Sequence, residues 1–544
     1  MRSSFLGLEV SKRTIQLSQK ALDVTGGNLS NSKTEGYTRQ VVDVGAKYLN
    51  KYEYWQTSTS RMTLAGQGAV GIGVDQVRDP YIDKRYREST PYVAEYSTTA
   101  DILREVETVL DNITTDGLTA SIDEFKKALS SYAERPDSEE LASIVRNSAY
   151  NLTNLLHTYH SGLEDLKMTN LESLQASLED TNNIIDRIVN YNKSIVKEYT
   201  SMAQGFIGPN ESVTGSYGPN EMLDERNLLL DELSYKFNIR VYDNADGSVR
   251  VVTADEKGNE TEIINGEKYE HIYMKGSTKT DDDYGSELER DYYAYNSAVL
   301  RWTSGADANN FVTGELQAYT NMLNGNGVYK TGYQNDKYGI PYYESAMDSF
   351  AHTFANYMNY FNGAVDENGK LIDKDRLMFC TNEFEDPNYD IGYEDLDMNT
   401  SNIRIAKAWM ENATMVGETY DEKEGKWSMS LDGDHINQFT VKLKTQALDF
   451  GGKGDYEGTV YDYLLFISNR IGQNIDYFDN RHDAAFATSN ALLDSRDAVS
   501  GVSETEEGIN MLTYQNWYNA SARLMTALDD ALDRLINNTG RVGL

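Results

Sequence analysis

The side chains best suited to chemistry in this sequence are few and scattered. His157 and His160 stand three apart in a stretch of helical period, so two imidazoles could share one face and hold a metal ion. No third ligand follows at metal spacing, and a packed or solvated pair is expected. Gly66, Gly68 and Gly71 form a G-x-G-x-x-G run, which binds a dinucleotide only with a strand before it, a helix after it and an acid about 20 residues on. Strand-like Val74-Asp-Gln-Val77 follows, so a glycine-rich turn is expected. Asp281-Asp-Asp283 and Asp432-Gly-Asp434-His435 could offer oxygens to calcium, yet neither matches the EF-hand loop with its closing glutamate. The single cysteine, Cys380, rules out an intramolecular disulfide and has no zinc-ligand spacing around it, which leaves the redox compartment open. G-x-S-x-G, P-loop and H-E-x-x-H patterns are absent too. The expectation is a protein that is not an enzyme, with no catalytic, cofactor-binding or metal-binding residue and no cofactor.

Residues that do no chemistry can still build surfaces, and the elements of this chain point that way. Its 544 residues exceed what one core organises, so several domains are expected. A net charge of -36 opposes binding to nucleic acid or to an anionic membrane. Charged residues interrupt MRSSFLGLEVSKRTIQLSQ before a secretory core could form, and no run approaches ~18 apolar residues, so neither a cleaved signal peptide nor a membrane insertion is expected.

The first segment carries two apolar stripes. Leu8, Ile15, Leu22 and Leu29 recur every seven residues, as do Val10, Leu17 and Val24, and the two series lie on nearly opposite faces of a helix. Such a helix must be covered on two sides. Asn28 to Tyr37 is rich in Asn, Ser, Thr and Gly, which predicts a corner from helix to strand. Residues 101–202 have helical period throughout, broken at Arg135-Pro136-Asp137, and predict one or two very long helices. Residues 222–237 are again helical, and the β-branched runs around Asp246-Gly247 predict a hairpin. Residues 342–361 predict a helix, 365–372 a second hairpin candidate, and the chain to about 450 strand or loop. At the end, Ser503-x-x-Glu506 offers a capping box. Met511, Tyr514, Tyr518, Ser521, Met525, Leu528, Leu532 and Leu535 then step alternately by three and four, a seam that requires a partner helix. The first helix is the obvious candidate.

The two ends also carry a resemblance. ALDVTGGNLSNSKTEGYTRQ (21–40) resembles the N-terminal signature of flagellar axial proteins through Asn28, Asn31, Thr34, Gly36, Tyr37, Arg39 and Gln40. Rod and hook proteins share that signature, and three further stretches narrow it to the hook-filament junction proteins, or first hook-associated proteins. GQGAVGIGVDQVRDPYIDKRYR (66–87) is similar to their Gly-x-Gly-Val block, with a slight departure in spacing at Arg78 to Tyr81. NEMLDERNLLLDELSYKFNIRVYDNADGSV (220–249) resembles their helix leading into a hairpin, and SGVSETEEGINMLTYQNWYNASARLM (500–525) their C-terminal segment.

The resemblance implies a structural protein joining hook to filament in the extracellular flagellum, and hence a part in motility. It implies secretion by flagellar type III export, with an export chaperone bound at the C-terminal helix. The implied partners are hook protein, the second junction protein and further copies of this chain in a ring. The expected fold is multidomain α+β. Residues 1–60 and 500–544 would pair as a terminal coiled coil, and 61–238, 312–362 and 455–499 would form a long-helix domain, a helical bundle. Residues 239–311 and 363–454 would be mainly-β insertions. The expected assembly interface is Leu8, Val10, Ile15, Leu17, Leu22, Val24 and Leu29 on the first helix, Asn28, Asn31, Thr34, Gly36, Tyr37 and Arg39 at the corner, and Met511, Tyr514, Tyr518, Met525, Leu528, Leu532 and Leu535 on the last helix. A hook or distal-rod protein is the alternative within the structural class. A secreted carbohydrate-binding protein, suggested by 39 tyrosines, is the alternative outside it.

Overall fold

The structure, a computed structural model, describes residues 4–46, 68–110, 117–205, 216–217, 219–255, 257–274, 298–308, 311–332, 334–366, 369–381, 396–411, 419–421, 426–428, 433–450 and 456–537. Its principal helices are α1 (Ser4–Ser30), α2 (Pro80–Leu110), α3 (Leu118–Glu134), α4 (Glu139–Gly205), α5 (Asn220–Lys236), α6 (Glu315–Asn324), α7 (Ile340–Phe361), α8 (Lys407–Glu411), α9 (Gly433–Thr445), α10 (Val460–Ser500) and α11 (Glu504–Asn537). The predicted break at Pro136 separates α3 from α4, while the end of α2 runs into residues 111–116, outside the described ones.

One compact unit comprises Met1–Pro91, Asp180–His271 and Ala485–Leu544. Strands β1 (Gln40–Ala46) and β2 (Ala69–Gln76) pair antiparallel, with a register shift at Asp43/Val44, and β3 (Ser216–Tyr217) runs parallel to β2. Alternation places Val42 and Val74 on the inner face, where they bury against Leu17, Ala21 and Val24 of α1. A second sheet is a meander of β4 (Arg240–Asp243), β5 (Val249–Ala254), β6 (Glu260–Asn265) and β7 (Lys268–Tyr269). Its first turn is the one expected at Asp246-Gly247: Gly247 has φ +86°, a region open to glycine at no steric cost.

In the same unit α1 packs along α11 in the antiparallel sense. Asn28 meets Glu507 at one end and Gly7 faces Leu528 at the other, a separation of 21 residues on each helix. The line of α1 between those ends is Gly7, Ser11, Thr14, Ser18, Ala21, Thr25 and Asn28, with steps of four and three. Ser11, Ser18, Ala21, Thr25 and Asn28 are all buried. The opposing line on α11 is Glu507, Met511, Tyr514, Tyr518, Ser521, Met525 and Leu528. Large side chains on α11 are thus matched by small ones on α1, which lets the two backbones approach. The hydroxyls cost little because they bond within their own helix: Ser11 to the Gly7 carbonyl at 2.9 Å, Thr14 to Val10 at 3.0 Å and Ser18 to Thr14 at 2.8 Å.

This corrects the two-stripe expectation for α1. Its Val10, Leu17 and Val24 stripe lies toward the sheet, with Leu17 and Val24 buried there, while Leu8, Ile15 and Leu22 are half-buried and Leu29 is exposed. The small-residue line between them was passed over because Ser, Thr and Gly do not register as apolar.

The second unit comprises Tyr92–Glu179 and Ile272–Ala484. Its core is aromatic: Phe350 stacks on Phe354 with centroids 5.9 Å apart, Phe354 meets Phe379 edge-on at 5.9 Å, and Phe379 meets Trp409 at 5.8 Å. The strand-or-loop expectation for residues up to 450 fails at α9, which packs on α3. Ile436, Phe439, Thr440 and Leu443 are buried with spacings of three, one and three, the periodicity of one helix face.

Candidate assembly site

Corner residues 28–40 are held by side chains acting as backbone partners. The Asn28 amide donates to the Gln40 carbonyl at 2.8 Å, while its oxygen accepts from the Gln40 N–H at 3.0 Å. Tyr37 donates its hydroxyl to the same oxygen at 2.9 Å. Asn31 caps the end of α1 by donating to the Gly27 carbonyl at 3.0 Å, and Thr34 donates to Asn31 Oδ1 at 3.3 Å. Gly36 has φ +77° and faces Leu228 of α5, so a side chain there would be strained.

Arg39 then ties the corner to the start of α11. Its Nε donates to Glu507 Oε1 at 2.9 Å and its Nη1 to Glu506 Oε2 at 3.0 Å, while its N–H meets the Ser500 carbonyl at 2.9 Å. Glu507 is only 2% exposed, so the charge it carries needs the Arg39 and Asn28 donors. The expected capping serine, Ser503, accepts from the Glu506 N–H at 3.4 Å. An open cleft of about 680 Å³ lies beside this corner.

Helix α5 supplies the other wall. Asp224 accepts from the Thr38 N–H at 3.2 Å and from Gln76 Nε2 at 2.8 Å, and Asn220 donates to the Val74 carbonyl at 3.1 Å. Burial pushes the Asp224 carboxyl up to about 6 despite those donors. Arg87 and Arg496 both pair with Asp231 of α5, at 2.7 and 2.5 Å. The sequence singled out this helix as a stretch but none of these residues, because a buried polar network leaves no periodicity to find.

The corner residues therefore have bonds within their own chain, and Met511, Tyr514, Tyr518, Met525 and Leu528 are half-buried on the line of α11 that meets α1. Leu532 is half-buried beyond it and Leu535 is 54% exposed. Elsewhere on α11 large apolar side chains stand open: Ile509 60%, Leu512 63%, Trp517 46% and Leu524 50% exposed. On the β1–β2 pair Val41, Val44 and Ile72 are also open, 40 to 53% exposed.

The chemical candidates do not converge. His157 bonds to the Ile403 carbonyl at 2.9 Å, and burial beside Arg404 lowers its basicity; His160 lies 3.8 Å from Glu344. Cys380 is buried in the second unit, and His435 stacks on Phe361 at 4.3 Å. Gly68 precedes strand β2 and Gly71 lies within it, paired with Val44, so the expected glycine-rich turn is in part strand, whereas Gly66, Asp281 to Asp283 and Asp432 lie outside the described residues. No group of three or more His, Cys, Asp or Glu placed to hold a metal occurs among the described residues.

The model of the flagellar hook-associated protein FlgK helical domain matches residues 103–375, half of the chain. The chain belongs to the FlgK family of flagellar hook-associated proteins. It is 25% identical to flagellar hook-associated protein 1 of Bacillus subtilis over 99% of both chains. The protein of the same name from Escherichia coli is 19% identical over 96% of this chain and 98% of its own. The flagellar hook junction protein FlgK from Burkholderia pseudomallei shares the fold, with a TM-score of 0.53 and 11% identity, over 77% of this chain and all of that one. The chain is thus a structural protein of the hook-filament junction and not an enzyme, which sets aside the rod, hook and carbohydrate-binding alternatives. It is a component of the extracellular flagellum.

Proposed function

We propose that the protein joins hook to filament through its terminal unit, with α1 and α11 paired as a coiled coil and the uncovered side of that pair docking on neighbouring subunits. The observation behind this is the line of open apolar side chains on α11, from Ile509 through Trp517 to Leu524. Each large apolar side chain gains about 1.5 to 3 kcal/mol on full burial, which a neighbour would supply. In this reading the occupants are further copies of the chain laterally, in a ring, with hook protein on one side and the second junction protein on the other. The same apolar helix would be what an export chaperone covers before type III secretion.

The division of labour proposed for the chain follows: residues 1–60 and 500–544 for assembly, 61–238, 312–362 and 455–499 as long-helix scaffold, 239–311 and 363–454 as insertions. Limited proteolysis separates docked from free termini. Free protein should be cut within α1 and α11 well before the rest, and protein bound at hook ends should be protected there. Equal protection in both states would mean that the terminal pair is complete within one chain, and the docking role would be abandoned.

A further inference from the structure

A cavity of about 410 Å³ lies between α5, the first turns of α2 and strand β4, all within the first unit, and the function above makes no use of it. Its walls are cationic in a chain of net charge -36: Arg78, Arg87 and Arg226 line it inside, with Lys84 and Arg240 also at the wall. Against these five cations stand two carboxylates, Asp83 and Asp243. Asp83 is fully engaged by Arg78, at 2.5 and 3.2 Å.

Arg226 is the unusual member. It is 4% exposed and makes no ion pair among the described residues. Its Nη1 donates to Asn192 Oδ1 at 3.1 Å and to the Gly247 carbonyl at 2.8 Å, while its buried Nε has no acceptor among the described residues. Burial lowers its pKa to about 10, a shift that the Asp243 carboxylate opposes only in part. Further donors remain beside it. Arg87 uses Nε and Nη2 on Asp231 and Asn227, and its Nη1 is unused among the described residues. Among the described residues Arg240 and Lys84 are held only by exposed pairs, to Glu260 at 3.2 Å and Glu88 at 3.9 Å, which are weak in water. An unpaired buried guanidinium facing spare N–H donors is what an oxyanion satisfies, because charge-assisted and bidentate bonds replace the lost water.

We propose that this cavity is an anion-binding site taking a compact oxyanion, either a free phosphate-class ion or a carboxylate presented by another protein, with Arg87 and Arg226 as the inner donors and Lys84 and Arg240 as the outer ones.

The test is calorimetric titration of the full chain with inorganic phosphate and, separately, with a tetraglutamate peptide, against chloride at matched ionic strength. Saturable phosphate binding is expected, weakened about tenfold or more in the Lys84→Gln/Arg240→Gln variant. Both substituted side chains are at least half exposed, and an unchanged urea midpoint confirms that the variant is folded. Displacement of phosphate by tetraglutamate assigns the site to a protein carboxylate, and failure to displace assigns it to a free ion; both retain the site. No saturable binding of either probe above chloride, or equal affinity in wild type and the folded variant, would overturn it. Should the double variant unfold, Arg240→Gln alone serves, with a several-fold loss expected and none contradicting the proposal.

Discussion

Asn28 and Gln40 form, through one side chain, the pair of hydrogen bonds that two residues exchange in a β-ladder, at 2.8 and 3.0 Å. The end of α1 is therefore fastened directly to the start of β1, and the corner keeps its angle without a longer loop. Asn28→Ala would leave both buried backbone groups of Gln40 without this partner, at a cost of about 2 to 4 kcal/mol. Hydrogen exchange of the α1 and β1 amides should accelerate accordingly, and a change equivalent to less than about 0.5 kcal/mol would show that the pair contributes little.

Glu507 gives a second test of the corner. Arg39→Ala leaves a carboxylate that is 2% exposed in the wild type with, among the described residues, only the Asn28 amide as a side-chain donor, so the start of α11 should loosen by about 2 to 4 kcal/mol. Adding Glu507→Gln to Arg39→Ala removes the stranded charge and should restore part of the loss. A double variant no better than the single one would contradict the pairing.

The small-residue line on α1 predicts an asymmetry at Ser18. Its hydroxyl bonds to the Thr14 carbonyl within the helix, so Ser18→Ala should stay within about 0.5 kcal/mol. Ser18→Leu would overfill a fully buried position facing α11 and should cost about 1 to 3 kcal/mol. Denaturant unfolding followed through Trp517 fluorescence measures both, and equal effects would exclude close approach of the two helices.

Two buried carboxyls give the stability a pH dependence. Burial raises Asp224 to about 6 in the first unit and Glu344 to about 7 in the second, the latter helped by Glu164 and opposed by Lys167. Each binds its proton more firmly folded than unfolded, so the stabilisation is complete below the ordinary values of 3.8 and 4.5 and is lost as pH rises through about 6 and about 7. Melting temperature should be higher at pH 5.5 than at pH 8, and Glu344→Gln should flatten that slope in the second unit. An unchanged slope in that variant would remove Glu344 as its cause.

Much of the outline was legible in the sequence because it rests on periodicity. The helical period of the last segment, the break at Pro136 and the Asp246-Gly247 turn are repetitive or stereochemical signals, and a helix, a helix break and a turn stand where the residues put them. The helix α9 was missed because only three apolar residues, Ile436, Phe439 and Leu443, mark its buried face within thirteen. The matching line of Gly, Ser, Thr and Ala on α1 was missed because a close helix contact is made by the absence of bulk. The network of Asn220, Asp224 and Asp231 was illegible for another reason: its partners, from Thr38 to Arg496, are distant in sequence and meet only in the fold.

The structure also changes which residues can test docking between subunits. Leu528 faces Gly7 of its own chain, so Leu528→Asp should disturb the α1–α11 pair in the monomer as well as in the assembly. Trp517 and Leu524, 46 and 50% exposed, are the better probes. The most direct measurement is made on Trp517→Asp/Leu524→Asp: electron microscopy of the purified variant added to isolated hook ends, with its monomer melting recorded beside the wild type. The account predicts a monomer that melts within a few degrees of wild type and hook ends that remain bare. A folded variant that caps hook ends as the wild type does would contradict docking through the open face of α11.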